Sequence, residues 1–290
     1  MGSPRTITAL ALAACAGFAG AMLASVAGGA ATSIDGAVSG QQPAVRDVQT
    51  LADGSCDLTT VESLSTRHAG VRQFVVLATN SFSDTYGVGY VAVRRNDGRW
   101  ACQTNQAPAR FGKAGTRPLI LRRSGDGTTP AGVFSLGSTT AWDGQRFSVF
   151  GNQPDPGVRA GVGYRAVRPQ DCWGARPNTW SYNHLVNATG CTGPDEWLQR
   201  YGDVYSHAAV IGANLDPISG DASGETPFAA AIFLHRHSYS GSLTDPTATR
   251  STSGCVSLAQ NDLVSVVRLL DPALATHFAI GPSSWLRSTA

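Results

Sequence analysis

The chain has 290 residues, 42% of them hydrophobic and 14% charged, with a formal net charge of +2. That length and apolar content support one large domain or two small ones and exclude a disordered chain. Near-balanced charge without a clustered basic run excludes nucleic acid or an anionic membrane surface as the partner.

Residues 1–31 carry Arg5, an apolar stretch from Ile7 to about Ala27, and the small residues Gly28-Gly29-Ala30-Ala31. This reads as a secretory signal peptide, placing the protein outside the cytoplasm. An uncleaved membrane anchor and a lipoprotein cleavage box at Leu12-Ala13-Ala14-Cys15 are the alternatives. Residues 32–54 are polar, aperiodic and contain Pro and Gly, as a flexible linker would be. Residues 55–284 then read as one domain, with 285–290 as a C-terminal tail.

Short β-rich runs separated by Gly, Asn, Asp and Pro dominate that domain: 73–78, 87–93, 100–104, 119–122, 132–136, 147–150, 204–211 and 230–234. The fold class is therefore mainly β. Asn96-Asp97-Gly98 between two runs is a hairpin turn signal. Glu196 to Tyr201 is a short helical candidate. Leu263, Val266, Val267 and Leu270 fall at helical spacing until Pro272, with Ser257 and Gln260 reading as a capping box.

Cys15 falls in the leader, which leaves Cys56, Cys102, Cys172, Cys191 and Cys255. Proximity in sequence pairs Cys56 with Cys102 and Cys172 with Cys191, one of the three pairings open to four cysteines. Cys255 is then the odd thiol. The segment between Cys172 and Cys191 holds Trp173, Trp180, Tyr182, Asn183 and His184 and reads as an irregular pinned loop. Its aromatics read as a small satellite core, or, by the resemblance described below, as a wall for a peptide or sugar substrate.

The most informative stretch is 229–258. The apolar run Ala229 to Leu234 carries His235 to the surface, and the turn Thr252-Ser253-Gly254 presents Cys255. An imidazole and a thiol presented together suit a base and its nucleophile, and a helix start after Cys255 would favour the thiolate. His237 shares a strand face with His235 and is the reserve base. His207 falls in an inner-strand run and reads as a residue either lining the cleft or supporting it from behind. Neither Cys-x2-Cys nor His-x3-His occurs, so no metal and no cofactor is expected, although His235, His237 and Cys255 could supply three ligands.

At these residues the chain resembles the bacterial L,D-transpeptidases of peptidoglycan, whose signature is His, a spacer, then Ser/Thr-x-Gly-Cys. The resemblance extends to GDGTTPAGVFSLG at 125–137 and to Tyr182-Asn183. It implies an L,D-transpeptidase-like β-sandwich or barrel-like catalytic domain with a short helix after the catalytic cysteine. It further implies transfer through a thioester on Cys255, with His235 as base and the backbone N–H groups of Gly254 and Cys255 as oxyanion donors. Ser253 or Thr252 would hold the second imidazole nitrogen. Thr252, His237, Tyr182 and Asn183 would border the substrate. Ser257 stands where many members carry Arg or Asn, so Arg236 or Arg250 would compensate. The implied partners are peptidoglycan stem peptides as donor and acceptor, with carbapenem β-lactams as covalent inhibitors of a monomer. Hydrolysis of the same acyl-enzyme, an L,D-carboxypeptidase, is one alternative; a non-catalytic cell-wall-binding domain is the other.

Overall fold

The computed structural model describes residues 56–215, 227–240 and 248–290. The leader and linker expected at 1–31 and 32–54 lie outside the described residues. The protein is mainly β, with 34% strand and 20% helix.

In chain order the strands are β1 (Gln73–Thr79), β2 (Tyr86–Arg94), β3 (Trp100–Cys102), β4 (Ala107–Arg110), β5 (Thr116–Pro118), β6 (Thr129–Ser135), β7 (Thr139–Thr140), β8 (Arg146–Phe147) and β9 (Val149–Gly151). They continue as β10 (Tyr164–Ala166), β11 (Asp171–Trp173), β12 (Leu185–Asn187), β13 (Glu196–Trp197), β14 (Ala208–Val210), β15 (Phe233–Arg236), β16 (Val256–Leu258) and β17 (His277–Pro282). Helices α1 (Leu58–Arg67), α2 (Gln260–Leu269) and α3 (Ser283–Ser288) complete the regular structure. One twelve-stranded mixed sheet runs β10-β9-β14-β15-β16-β4-β2-β1-β17-β6-β5, with β3 added to β2. β15 and β16 are parallel, with Leu234 opposite Val256 and His235 opposite Ser257.

Both faces of the sheet centre are covered. The period-2 alternation of β1 sends Phe74, Val76 and Ala78 to one side, against Val61 and Leu64 of α1 and Leu286 of α3. Val75 and Leu77 go to the other side, into the cluster with Leu263, Val266 and Val267 of α2. A third, aromatic cluster gathers Phe147, Phe150, Trp173, Tyr205 and Phe233 around Cys255. All seven residues of β1 are buried, which accounts for its continuous apolar reading.

Several expectations hold. Cys56 pairs with Cys102 and Cys172 with Cys191. The Asn96-Asp97-Gly98 signal joins β2 to β3, with Gly98 at φ 84°. Others need correction. Leu119–Leu121 is a 3-10 turn, not a strand, and leaves Ile120 and Leu121 exposed. The pinned segment is not wholly irregular, because β11, β12 and β13 form a three-stranded sheet. Glu196 and Trp197 are strand, followed by 3-10 turns over Leu198–Tyr205.

Of the residues read as a C-terminal tail, 285–288 belong to the docked helix α3. Arg67 of α1 donates to the carbonyls of Leu286 and Ala290, both at 2.5 Å. α1 itself went unread because only Val61 and Leu64 mark its apolar face; Asp57 caps it by accepting from Thr60 N at 3.1 Å. Among the described residues, no helix is long and apolar enough to cross a membrane.

Candidate active site

Parallel pairing of β15 and β16 lines up their side chains on one face: Phe233 and His235 on β15, Cys255 and Ser257 on or next to β16. Tyr205 closes over this row, its ring 5.6 Å from His235 and 5.9 Å from Phe233. The Phe233 N–H donates to Cys255 Sγ at 3.4 Å, and the Ala231 carbonyl lies 3.3 Å from the same sulfur. The sequence thus brings His235 and Cys255 onto neighbouring strands and one face, although no direct hydrogen bond joins imidazole to sulfur.

The state of Cys255 differs from expectation. None of the described cysteines is a free thiol, and Cys255 is disulfide-bonded. It is also fully buried among aromatic side chains, whereas its Ser/Gly-rich flank suggested little apolar packing. β16 separates it from α2, so no helix N-terminus follows it directly. The capping box is not formed either: the N-cap is Ala259, and the Ser257 hydroxyl is used elsewhere.

The two histidines are distinguished by their partners. His235 Nδ1 lies 2.7 Å from the Arg236 carbonyl, which requires a proton on Nδ1. Nε2 is therefore the basic lone pair, and it is buried with no hydrogen-bond partner. His237 Nδ1 meets Ser257 Oγ at 2.9 Å, and the Pro108 carbonyl also accepts from its ring. Both sides of His237 are thus engaged, with the Ser257 hydroxyl donating to Nδ1. This favours His235 over His237 as base. It also corrects the expectation that Ser253 or Thr252 holds the second nitrogen of His235, a role the Arg236 carbonyl takes.

Burial holds His235 well below the usual histidine value, at about 4; burial, then the charges of His235 and Arg110, does the same to His237. Both are neutral at pH 7 in the folded chain. The unfolded chain binds protons first, near pH 6.5, so folding is favoured by neutral histidines above that pH and loses this contribution as pH falls toward 4. Each histidine contributes a slope on the order of 1.4 kcal/mol per pH unit inside that window. Urea midpoints measured at steps from neutral to acid pH should fall for the wild type, and fall less steeply for His235→Leu.

The Cys255 turn is fixed from behind by hydroxyls. Thr252 Oγ1 and Thr129 Oγ1 both donate to the Cys255 carbonyl, at 2.6 and 3.0 Å. Thr129 Oγ1 accepts from Gly112 N at 2.8 Å, and Gly254 N donates to Thr252 Oγ1 at 3.1 Å. The Gly254 N–H is thereby engaged within the turn, which corrects its expected role as an oxyanion donor. Gly254 sits at φ 154°, where a Cβ would meet the Thr128 carbonyl at 3.2 Å, so glycine is required there. The GDGTTP segment and the cysteine turn, far apart in sequence, are hydrogen-bonded to each other.

The remaining sequence-selected residues fall outside direct reach of the sulfur. Tyr182 is buried and donates to the Ala229 carbonyl at 2.7 Å. Asn183 Oδ1 accepts from Ala231 N and Trp173 Nε1, and Asn183 Nδ2 donates to the Asn214 carbonyl. These two hold the strand leading into β15 in place; they are not an exposed substrate wall. Trp180, 84% exposed, is the open aromatic of that segment. Arg236 pairs with Asp203 at 3.1 Å, Arg250 is exposed, and Ser253 is half-buried. His207 Nε2 lies 3.2 Å from Asp155, which also pairs with Arg268 at 3.0 Å.

Sequence reading missed Arg122, Thr129 and Tyr205. Thr129 lay inside a recognised motif, but the burial of an arginine or the placing of a tyrosine over a histidine has no local sequence signal. Among the described residues, no group of three or more His, Cys, Asp or Glu side chains could hold a metal ion. No protein-family model matches the chain, and no curated protein or solved structure matches it.

Proposed function

We propose that the protein is an exported, cysteine-dependent L,D-transpeptidase acting on peptidoglycan stem peptides. The observation that carries this reading is the buried, unpaired Nε2 of His235, beside Cys255 on one sheet face and held in the accepting tautomer by the Arg236 carbonyl. The reading concerns Cys255 as a thiol, in the form of the chain with its disulfide opened. His235 Nε2 takes the thiol proton, and the sulfur adds to the carbonyl preceding the terminal D-Ala of a stem tetrapeptide. The C–N bond breaks, the proton passes from His235 to the departing amine, and a thioester remains on Cys255. An acceptor amine then adds to the thioester carbonyl and gives its proton to His235, and the thiol leaves.

An imidazole at about pKa 4 is a weak base on its own. A thiolate formed beside it stabilises the imidazolium, so the two titrate as a pair. Because the sulfur is covered, turnover requires substrate to displace what covers it.

Incubating the mature, mildly reduced protein with a purified stem tetrapeptide tests the reading. Mass spectrometry should find D-Ala released and the remaining tripeptide joined to an added acceptor amine. Free tripeptide in place of the joined product would identify the L,D-carboxypeptidase. A second reading has its own support: burial and disulfide bonding of Cys255 suit a non-catalytic cell-wall-binding domain. Under that reading tetrapeptide binds and is recovered uncut.

A further inference from the structure

Arg236 and Arg250 are the sequence candidates for a cation near Cys255 that would make up for Ser257. Arg236 is paired with Asp203. The cation packed on the cysteine turn comes instead from a remote segment. Arg122 is 1% exposed, and its guanidinium donates to the Phe228 carbonyl at 2.5 Å and to the Thr128 carbonyl at 2.9 Å. Its second nitrogen, Nη2, lies 3.5 Å from where a Cβ on Gly254 would stand, and Gly254 is bonded to Cys255.

We propose that Arg122 is the positioning residue of this site: it ties these three segments together and holds a buried positive charge beside the turn that favours the Cys255 thiolate. The inference rests on the reading of Cys255 as a thiol nucleophile. A guanidinium here stays charged at neutral pH, because burial lowers it only to about 10. A buried charge beside the turn lowers a thiol by on the order of one pH unit. The other charged and titratable groups around the turn and Arg122 include His235, Tyr205 with its partner Glu196, Tyr182, Asp126, Arg117 and Lys113, whose stem packs on Gly127. Tyr182 and Tyr205 are raised by burial and neutral. Tyr205 donates to Glu196 at 2.5 Å, and the Asp126 carboxylate lies 3.6 Å from Arg122 and opposes its charge.

The test is the rate of iodoacetamide capture of Cys255 against pH, from about pH 5 to about pH 10, in mature protein carrying Cys255 as a thiol. Peptide mapping identifies the modified cysteine and verifies that Cys56–Cys102 and Cys172–Cys191 stay bridged. The wild-type midpoint is the reference for the variants, because burial among aromatic rings raises the thiol while a nearby cation lowers it. Arg122→Gln should raise it by about one unit, and Arg122→Lys should retain most of the wild-type shift. Asp126→Asn, which removes the opposing charge, should lower it further, an effect of opposite sign that lost packing would not give. Unmoved midpoints in folded Arg122→Gln and Asp126→Asn overturn the proposal. If Arg122→Gln does not fold, Asp126→Asn decides alone: a downward shift supports the charge assignment, and an unchanged or raised midpoint removes it. No peptide substrate enters the measurement. Midpoints that move as expected while tetrapeptide is never cut would sink the transpeptidase reading and leave the Arg122 assignment standing.

Discussion

Replacing Cys255 by Ala in the mature chain is expected to abolish both carbapenem acylation and turnover of stem tetrapeptide. Under the proposed function, ring opening of the β-lactam is the same addition of sulfur to a carbonyl, and the four other cysteines of the mature chain are held in disulfides. Intact-mass measurement after incubation with a carbapenem should show one added mass on the reduced wild type, mapped to the Cys255 peptide, and none on the variant. His235→Ala should keep the sulfur and slow acylation by on the order of 10²–10⁴, the usual contribution of a positioned base. His237→Ala should have a much smaller effect, because its Nδ1 accepts from Ser257 and no lone pair faces the sulfur. A slow His237→Ala and a fast His235→Ala would exchange the two assignments. An adduct of unchanged mass and rate on Cys255→Ala would end the thioester mechanism.

The second large effect concerns stability. Phe233→Ala removes a fully buried ring that meets Phe150 at 5.0 Å, Trp173 at 4.8 Å and Tyr205 at 5.9 Å, all near-perpendicular. Truncating such a ring leaves a cavity that its neighbours cannot close, at a cost of about 3–5 kcal/mol. Urea denaturation should register that loss, whereas Trp180→Ala, on an 84% exposed side chain, should stay within about 0.5 kcal/mol of wild type. The Phe233 backbone N–H contacts Cys255 Sγ, so collapse around the missing ring should also disturb thiol reactivity. An unaltered midpoint for Phe233→Ala would mean that the aromatic cluster is not the tightly packed support of the site described above.

What was legible in the sequence had local causes. The helical spacing of Leu263, Val266 and Val267 located α2, the turn residues Asn96-Asp97-Gly98 located a hairpin, and cysteine proximity gave both described disulfides. His235 and Cys255 could be placed together because each lies at the end of an apolar run or a tight turn. The parts that escaped depend on contacts between distant segments. A three-residue strand such as Val256–Leu258 is too short to display a period, so Cys255 was set against a helix from which it is separated. Tyr182 and Asn183 carry polar groups usually placed at a surface, yet here they satisfy the backbone at Ala229 and Ala231. Arg122 is the clearest case. Arginine is seldom fully buried, and the convergence of the Thr128 and Phe228 carbonyls with the Asp126 carboxylate makes this site tolerable for it.

The position of β17 bears on when the protein can fold. This strand, 277–282, is parallel to β1 and antiparallel to β6, and it joins the two within the sheet. β1 and β6 therefore have no link within the sheet until β17 is in place. Such pairing closes a loop of about two hundred residues, an entropic cost met only by contacts that form together with it. A ribosome-bound chain lacking its last segment would hold the cysteine turn and the histidine strand without the strand that unites the sheet. Assembly of the sheet then waits on β17, the last of its strands to be synthesised.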